Sequence, residues 1–160
     1  MTILVIGSGS GLGKEIFKIL KKEKKNVQGF SSLNSKNLNY INLKSLNLRR
    51  LKKQINSIKN LSEVYYLANL SKHESFLKIS QNNLNKFVNF NILNFAKFFQ
   101  VLLKKNDRII INVVLSHICF IHNYGFSIYR SHKLFQKNLL QSIQIEFPKT
   151  EINYIYPGAI

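Results

Sequence analysis

Tyr129 and Lys133 stand four residues apart, so a helix carrying them presents a phenol and an ammonium on one face. A nearby ammonium favours a phenolate, and a phenol so placed can exchange a proton with a carbonyl or alcohol oxygen near neutral pH. Ser116, thirteen residues before the tyrosine, adds a hydroxyl that can donate to the same oxygen. A second signal lies at the other end of the chain. Gly7-Ser8-Gly9-Ser10-Gly11-Leu12-Gly13 follows the first apolar run. Glycines there allow backbone angles that other residues avoid and let the main chain approach a phosphate closely. A helix starting near Gly11 would aim its free N–H groups at that anion. Proton exchange at a carbonyl, joined to a pyrophosphate cradle, predicts a nicotinamide-dependent oxidoreductase.

The glycine spacing decides between nucleotide loops. A triphosphate loop reads G-x-x-x-x-G-K-[ST]. Lys14 follows Gly13, but Ser8 stands where the first glycine belongs and Glu15 where the hydroxyl belongs. The G-x-G-x-x-G form meets Leu12 when begun at Gly7 and Lys14 when begun at Gly9. The spacing that fits is G-x-x-x-G-x-G, with Gly7, Gly11 and Gly13.

These groups need a scaffold, and the hydrophobic periodicity supplies one. Thr2 to Ile6 reads as a central parallel strand. Ile16, Phe17, Ile19 and Leu20 recur at helical spacing between Lys14 and Lys25. Strands follow at Val27–Phe30, Tyr40–Leu43, Glu63–Ala68, Arg108–Leu115 and Ile152–Tyr156. Helices are expected over Leu46–Ile58, Asn83–Lys105 and Tyr129–Ile145. The alternation predicts an α/β fold, a doubly wound parallel sheet in three layers, built as one domain over residues 1–160. Such sheets bind ligands at the carboxyl ends of their strands. Gly7, Ala68, Ser116 and Pro157 all fall at such ends, which predicts one shared site.

Composition bounds the partners. The 160 residues carry a net charge of +17, almost all from lysine, since only Arg49, Arg50, Arg108 and Arg130 are arginines. The lysines are spread over helices rather than massed in a tail, so we read solvated faces rather than a nucleic-acid surface. Apolar content of 45% suits a soluble globular chain. The apolar stretch from Ile109 to Phe126 is broken by Asn112, Ser116, His117, His122 and Asn123, so we expect a buried strand and loop and no membrane span. No secretory signal is visible, and a cytoplasmic location is expected. Cys119 is read as a small packed residue. His73, His117, His122 and His132 lack metal-ligand spacing and are expected in loops or at solvent; no metal is expected.

The glycine pattern, its place between a first strand and first helix, and Ser116 with Tyr129 and Lys133 resemble the short-chain dehydrogenase/reductase family over nearly the whole chain. The resemblance implies a Rossmann-like fold and hydride transfer between a nicotinamide cofactor and a small carbonyl or alcohol substrate. It implies Tyr129 as acid/base, Lys133 as its partner and ribose ligand, and Ser116 orienting the carbonyl. Asn91 best matches an asparagine that holds a proton-relaying water, with Asn89 and Asn94 as rivals. Gly7, Ser10, Gly11, Leu12 and Gly13 would hold the pyrophosphate, with Ser32 beyond the second strand. Asn42 occupies the place of an aspartate that contacts adenine. Tyr66-Leu67-Ala68-Asn69 sits where the family has Asn-Asn-Ala-Gly, and only Ala68 agrees. Pro157 and Gly158 resemble the turn beside the nicotinamide.

No carboxylate follows the second strand in Gly29–Lys36, which favours NADP over NAD while an arginine that would decide it is also missing. The family continues past this turn with a further helix and strand, so the resemblance implies a sheet lacking the last strand and the substrate helix. It also implies a homo-oligomer packed through the helices near Asn83 and Tyr129. A non-catalytic dinucleotide- or nucleic-acid-binding protein that kept the fold is the alternative.

Overall fold

Every residue of Thr2–Ile6 (β1) is buried, as a strand covered on both faces requires. It lies inside a parallel sheet. The computed structural model describes residues 1–32, 39–40, 46–71 and 73–158. Among them the elements follow as α1 (Gly11–Lys22), β2 (Val27–Ser31), β3 (Asn39–Tyr40), α2 (Leu48–Ser57), β4 (Leu61–Tyr66), α3 (Gln81–Phe87), α4 (Asn94–Lys105), β5 (Ile110–Val114), α5 (Ser127–Glu146) and β6 (Glu151–Ile155). The strand order is β3-β2-β1-β4-β5-β6, with every pairing parallel. The order reverses between β1 and β4. That is the switch point where doubly wound sheets open a crevice at their carboxyl edge.

The two faces are filled unequally. On one, α1 lays Ile16, Phe17 and Leu20 against Ile3, Val5 and Val27. On the other, Leu51 and Ile55 of α2, Phe95, Phe98, Phe99 and Leu102 of α4, and Leu140 of α5 cover Leu4, Ile6, Val64, Tyr66, Ile111, Val113 and Ile152. Tyr66 anchors this larger core, with ring centroids 5.0, 5.3 and 5.5 Å from Phe95, Phe98 and Phe99. Beyond α1's reach, β4–β6 carry a polar row on α1's side. Asn112 Nδ2 donates to Glu63 Oε1 at 2.8 Å, and Asn153 Nδ2 donates to Asn112 Oδ1 at 3.2 Å.

The long helix expected from Asn83 to Lys105 is continuous but not uniform. A π turn, Val88–Leu93, joins α3 to α4. Phe87, Phe90, Asn91, Asn94, Phe95, Phe98 and Leu102 are all buried, as their spacing predicts. The wider turn lets Phe90 and Asn91 both face inward, and such turns concentrate at functional sites.

Boundaries shift by a few residues elsewhere. Helix α1 ends at Lys22 rather than Lys25, where Lys24 turns to a φ of 57°. Strand β4 begins two residues early because Thr2 pairs with Leu61 and donates to the Asn60 carbonyl at 2.8 Å. For the third strand, Asn39–Tyr40 is observed, and positions 41–43 lie outside the described residues.

The packing has a direct test. Phe98 is fully buried, so Phe98→Ala is expected to cost about 3–5 kcal/mol in a denaturant titration. A loss below about 1 kcal/mol would contradict this core.

Candidate active site

The glycine loop is folded back on itself. Gly7 N–H and Ser8 N–H both donate to the Phe30 carbonyl, at 2.9 and 3.2 Å, tying the loop to the end of β2. Gly7 has a φ of +92°, and a Cβ there would stand 2.8 Å from the Ala68 nitrogen. A Cβ on Gly13 would collide with the Gly7 carbonyl oxygen. Both positions therefore exclude a side chain. Gly11 differs: its φ is +51°, but a Cβ would meet nothing within 4 Å. Ser10 starts α1 without a side-chain cap, and no acidic residue stands in the first turn. The first-turn N–H groups are left for an anion from outside.

The second cluster gathers at the ends of β5 and β6. Ser116 Oγ accepts from Ile118 N–H at 3.3 Å, which leaves its own proton free to donate. His117 N–H donates to the Pro157 carbonyl at 3.1 Å, holding the Pro157–Gly158 turn beside Ser116. Helix α5 begins at Ser127, two residues before the expected start, so Tyr129 and Lys133 both lie within it. Lys133 is 3% exposed, and its Nζ donates to the Val114 carbonyl at 2.9 Å. Burial pulls its pKa down to about 8.

The two clusters open onto one cleft. A cavity of about 450 Å³ is walled by Gly7, Gly9–Gly13, Ser31, Ser32 and Ala68. A second, of about 460 Å³, is walled by Ser116, Phe126, Tyr129, Lys133, Pro157 and Gly158. Leu12, Leu67, Asn69, Ser71 and Val114 belong to both walls. Gly7, Ser10, Gly11, Leu12, Gly13, Ser32, Ala68, Asn69, Ser116, Tyr129, Lys133, Pro157 and Gly158 are thereby brought together. Asn42 lies outside the described residues, as does most of the stretch after β2 used to weigh NADP against NAD.

Asn91 lines neither cavity, and its side chain bonds the main chain. Its Oδ1 accepts from Leu70 N–H at 3.0 Å and its Nδ2 donates to the Leu70 carbonyl at 2.8 Å. Gln136 of α5 donates to the Asn91 carbonyl at 3.1 Å. The π turn thus clamps the segment after β4 and ties it to the tyrosine helix. His132 corrects an expectation: it is 2% exposed, not at solvent. The absence of a metal-ligand pattern could not reveal its partners, the Ile128 carbonyl one turn back on α5 and the Asn69 amide from beyond β4. His73 lies in a loop and is exposed, as expected, and its ring packs at a tilt of 55° against Phe126, with centroids 4.2 Å apart at the cleft. Cys119 is buried, as expected. Among the described residues no cluster of potential metal ligands occurs, and no helix is long and apolar enough to cross a membrane.

The chain has the fold of the short-chain dehydrogenases/reductases. The crystal structure of such an enzyme from Vibrio parahaemolyticus matches at a TM-score of 0.89 and 18% identity, over 99% of this chain and 82% of that one. A short-chain dehydrogenase from Streptomyces avermitilis matches at 0.86 and 15%, over 99% of this chain and 65% of that one. The closed form of a serine dehydrogenase complexed with NADP+ matches at 0.87 and 16%, over 99% and 72%. No protein-family model matches the sequence, and neither does any curated protein.

Lys133 carries a stability cost that can be measured. An ordinary lysine titrates near 10.5, and this one near 8. Between those values the unfolded chain binds the proton and the native chain does not, so native stability rises with pH across that window. Below pH 8 the native state bears the full cost of the buried charge, on the order of 3 kcal/mol. Lys133→Met is therefore expected to melt higher than wild type at pH 7, with the gap closing as pH rises from about 8 toward 10.5. A variant less stable than wild type at pH 7 would contradict the assignment.

Proposed function

We propose that this chain is a short-chain dehydrogenase/reductase that binds a nicotinamide dinucleotide in the cleft and interconverts a small carbonyl and its alcohol. The observation that carries this reading is the shared wall between the two cavities. A pyrophosphate on the glycine loop would send one half of a dinucleotide toward Ser31 and Ser32 and the other along the shared wall toward Tyr129. The residues fit such a group. The start of α1 is uncapped, Gly11 leaves its side of the main chain bare, and none of the lining residues is an aspartate or glutamate. A net charge of +17 draws an anionic ligand from a distance.

Bound there, the cofactor supplies or takes the hydride. The chain's own residues handle the proton and the geometry. Ser116 Oγ donates its free proton to the substrate oxygen and fixes its direction. The Tyr129 hydroxyl delivers a proton to that oxygen as the carbonyl becomes an alcohol, and takes it back in reverse. Lys133, anchored on the Val114 carbonyl and one helical turn from Tyr129, would supply a positive charge for the tyrosine and a donor for a ribose hydroxyl. Asn91 holds the Leu70 segment that forms the opposite wall. NADP is the favoured cofactor, because Ser31 and Ser32 close the far end of the cleft without a carboxylate to oppose a 2′-phosphate. Self-association would use the outer side of α4 and α5, where Leu103, Leu139, Ile143 and Phe147 line an apolar groove.

Two variants test this reading. Gly11→Asp introduces a carboxylate into open space at a φ of +51°, a strain that aspartate bears better than most residues, so the fold should survive while NADPH binding, read by cofactor fluorescence, is lost. Tyr129→Phe keeps the ring and removes the acid. It should bind NADPH like wild type and lose about 100-fold or more in turnover on a panel of ketones and aldehydes. Wild-type affinity in the first variant, or wild-type turnover in the second, removes the cleft as the active site.

A further inference from the structure

His132 lies between two hydrogen-bonding groups. Its Nδ1 is 3.1 Å from the Ile128 carbonyl, one turn back on α5. Its Nε2 is 2.8 Å from the Asn69 side-chain amide, beyond the end of β4, with the Oδ1 position facing the ring. The ring is neutral, because burial, with the Lys133 ammonium beside it, pulls its pKa down to about 3. A neutral imidazole carries one N–H and one acceptor. The Ile128 carbonyl can only accept, so the proton belongs on Nδ1. Nε2 must then accept, and the only donor Asn69 offers it is the amide NH2. With the amide oxygen at Nε2 instead, the proton would sit on Nε2 and the Nδ1 lone pair would face the Ile128 oxygen. The two amide orientations differ by a half-turn and are told apart by their partners.

The hydrogen-bond partners therefore call for a half-turn of the Asn69 amide, which puts Nδ2 at Nε2 and points the carbonyl oxygen away from His132. Asn69 lies on the wall common to both cavities, between the glycine loop and Tyr129. A dinucleotide lying along the cleft places a sugar in that span, and sugar hydroxyls donate. Neither cavity is lined by a carboxylate to receive them.

We propose that His132 is a positioning residue that takes the Asn69 amide NH2 on Nε2, turning the Asn69 oxygen into the cleft to accept a hydrogen bond from a sugar hydroxyl of the dinucleotide. The inference rests on the cofactor reading above. It assigns His132 a role through Asn69, without contact to the reacting atoms.

Two measurements test it. The first is the ¹⁵N spectrum of the ligand-free protein, which reports the tautomer independently of any cofactor. Protonated Nδ1 with an accepting Nε2 is expected at pH 7, and an Nε2–H ring or a cation overturns the proposal. The second is NADPH titration of Asn69→Ala, His132→Leu, the double variant and His132→Gln. Each of the first two should weaken binding about tenfold, the scale of one lost hydrogen bond. The double variant should be no weaker than Asn69→Ala, since both changes remove one contact. His132→Gln keeps an acceptor and should recover most of the affinity. Losses that multiply in the double variant, or unchanged affinity in Asn69→Ala, overturn the proposal. Should His132→Leu fail to fold, the glutamine variant, Asn69→Ala and the tautomer still decide. Wild-type protein that ignores NADPH sinks the cofactor reading and the sugar contact with it. An Nε2–H ring in protein that binds NADPH sinks this inference alone.

Discussion

Everything at the site depends on how closely the main chain approaches itself at the end of β1. Gly7 turns against Ala68, and Gly13 turns against Gly7, with no room for a Cβ at either contact. That double approach brings the first turn of α1 down onto the carboxyl edge of the sheet, at the switch between β1 and β4. A larger residue at either position would lift the helix off the edge. The uncapped N–H groups would then point elsewhere, and the cavity they wall would no longer adjoin the one beneath Tyr129.

The opposite side of the cleft is held by polar side chains reaching between elements rather than by apolar packing. Asn91 clamps both backbone groups of Leu70, Gln136 grips the Asn91 carbonyl, and Lys133 reaches back to Val114. Each of these side chains is buried, apart from the mouth of the site. An unmade bond there costs more than a made one contributes, so the network fixes one arrangement of α5 against β4 and β5. Lys133 is the tension in it. Burial opposes its charge, while the proton transfer proposed at Tyr129 would make use of it.

The sheet, its helices and the convergence on one edge were legible because they rest on periodicity. The unbroken apolar run of β1, the i, i+3, i+4 spacing from Phe87 to Leu102, and the G-x-x-x-G-x-G loop each state a local geometry. The gathering of Tyr129, Lys133 and Ser116 around one cavity was legible for the same reason, since their spacing is a helical or strand-end spacing. What stayed hidden was pairing across the chain. His132 and Asn69 are 63 residues apart and meet at 2.8 Å. Nothing local to either residue announces the other. The π turn was hidden as well, because its residues satisfy an α-helical pattern, and only the Leu70 backbone beside Asn91 explains the extra width. The polar row Glu63–Asn112–Asn153 alternates like any half-exposed strand set, and only the strand register shows that it is one continuous ladder.

The central claim is that one dinucleotide occupies both cavities together. Amide hydrogen exchange with and without saturating NADPH tests it directly. Slowed exchange is expected at two separated places at once, residues 9–14 at the start of α1 and residues 115–118 after β5, with the outer surfaces of α2 and α4 unchanged. Protection limited to one of the two places, or spread over the lysine-rich helices instead, would contradict it.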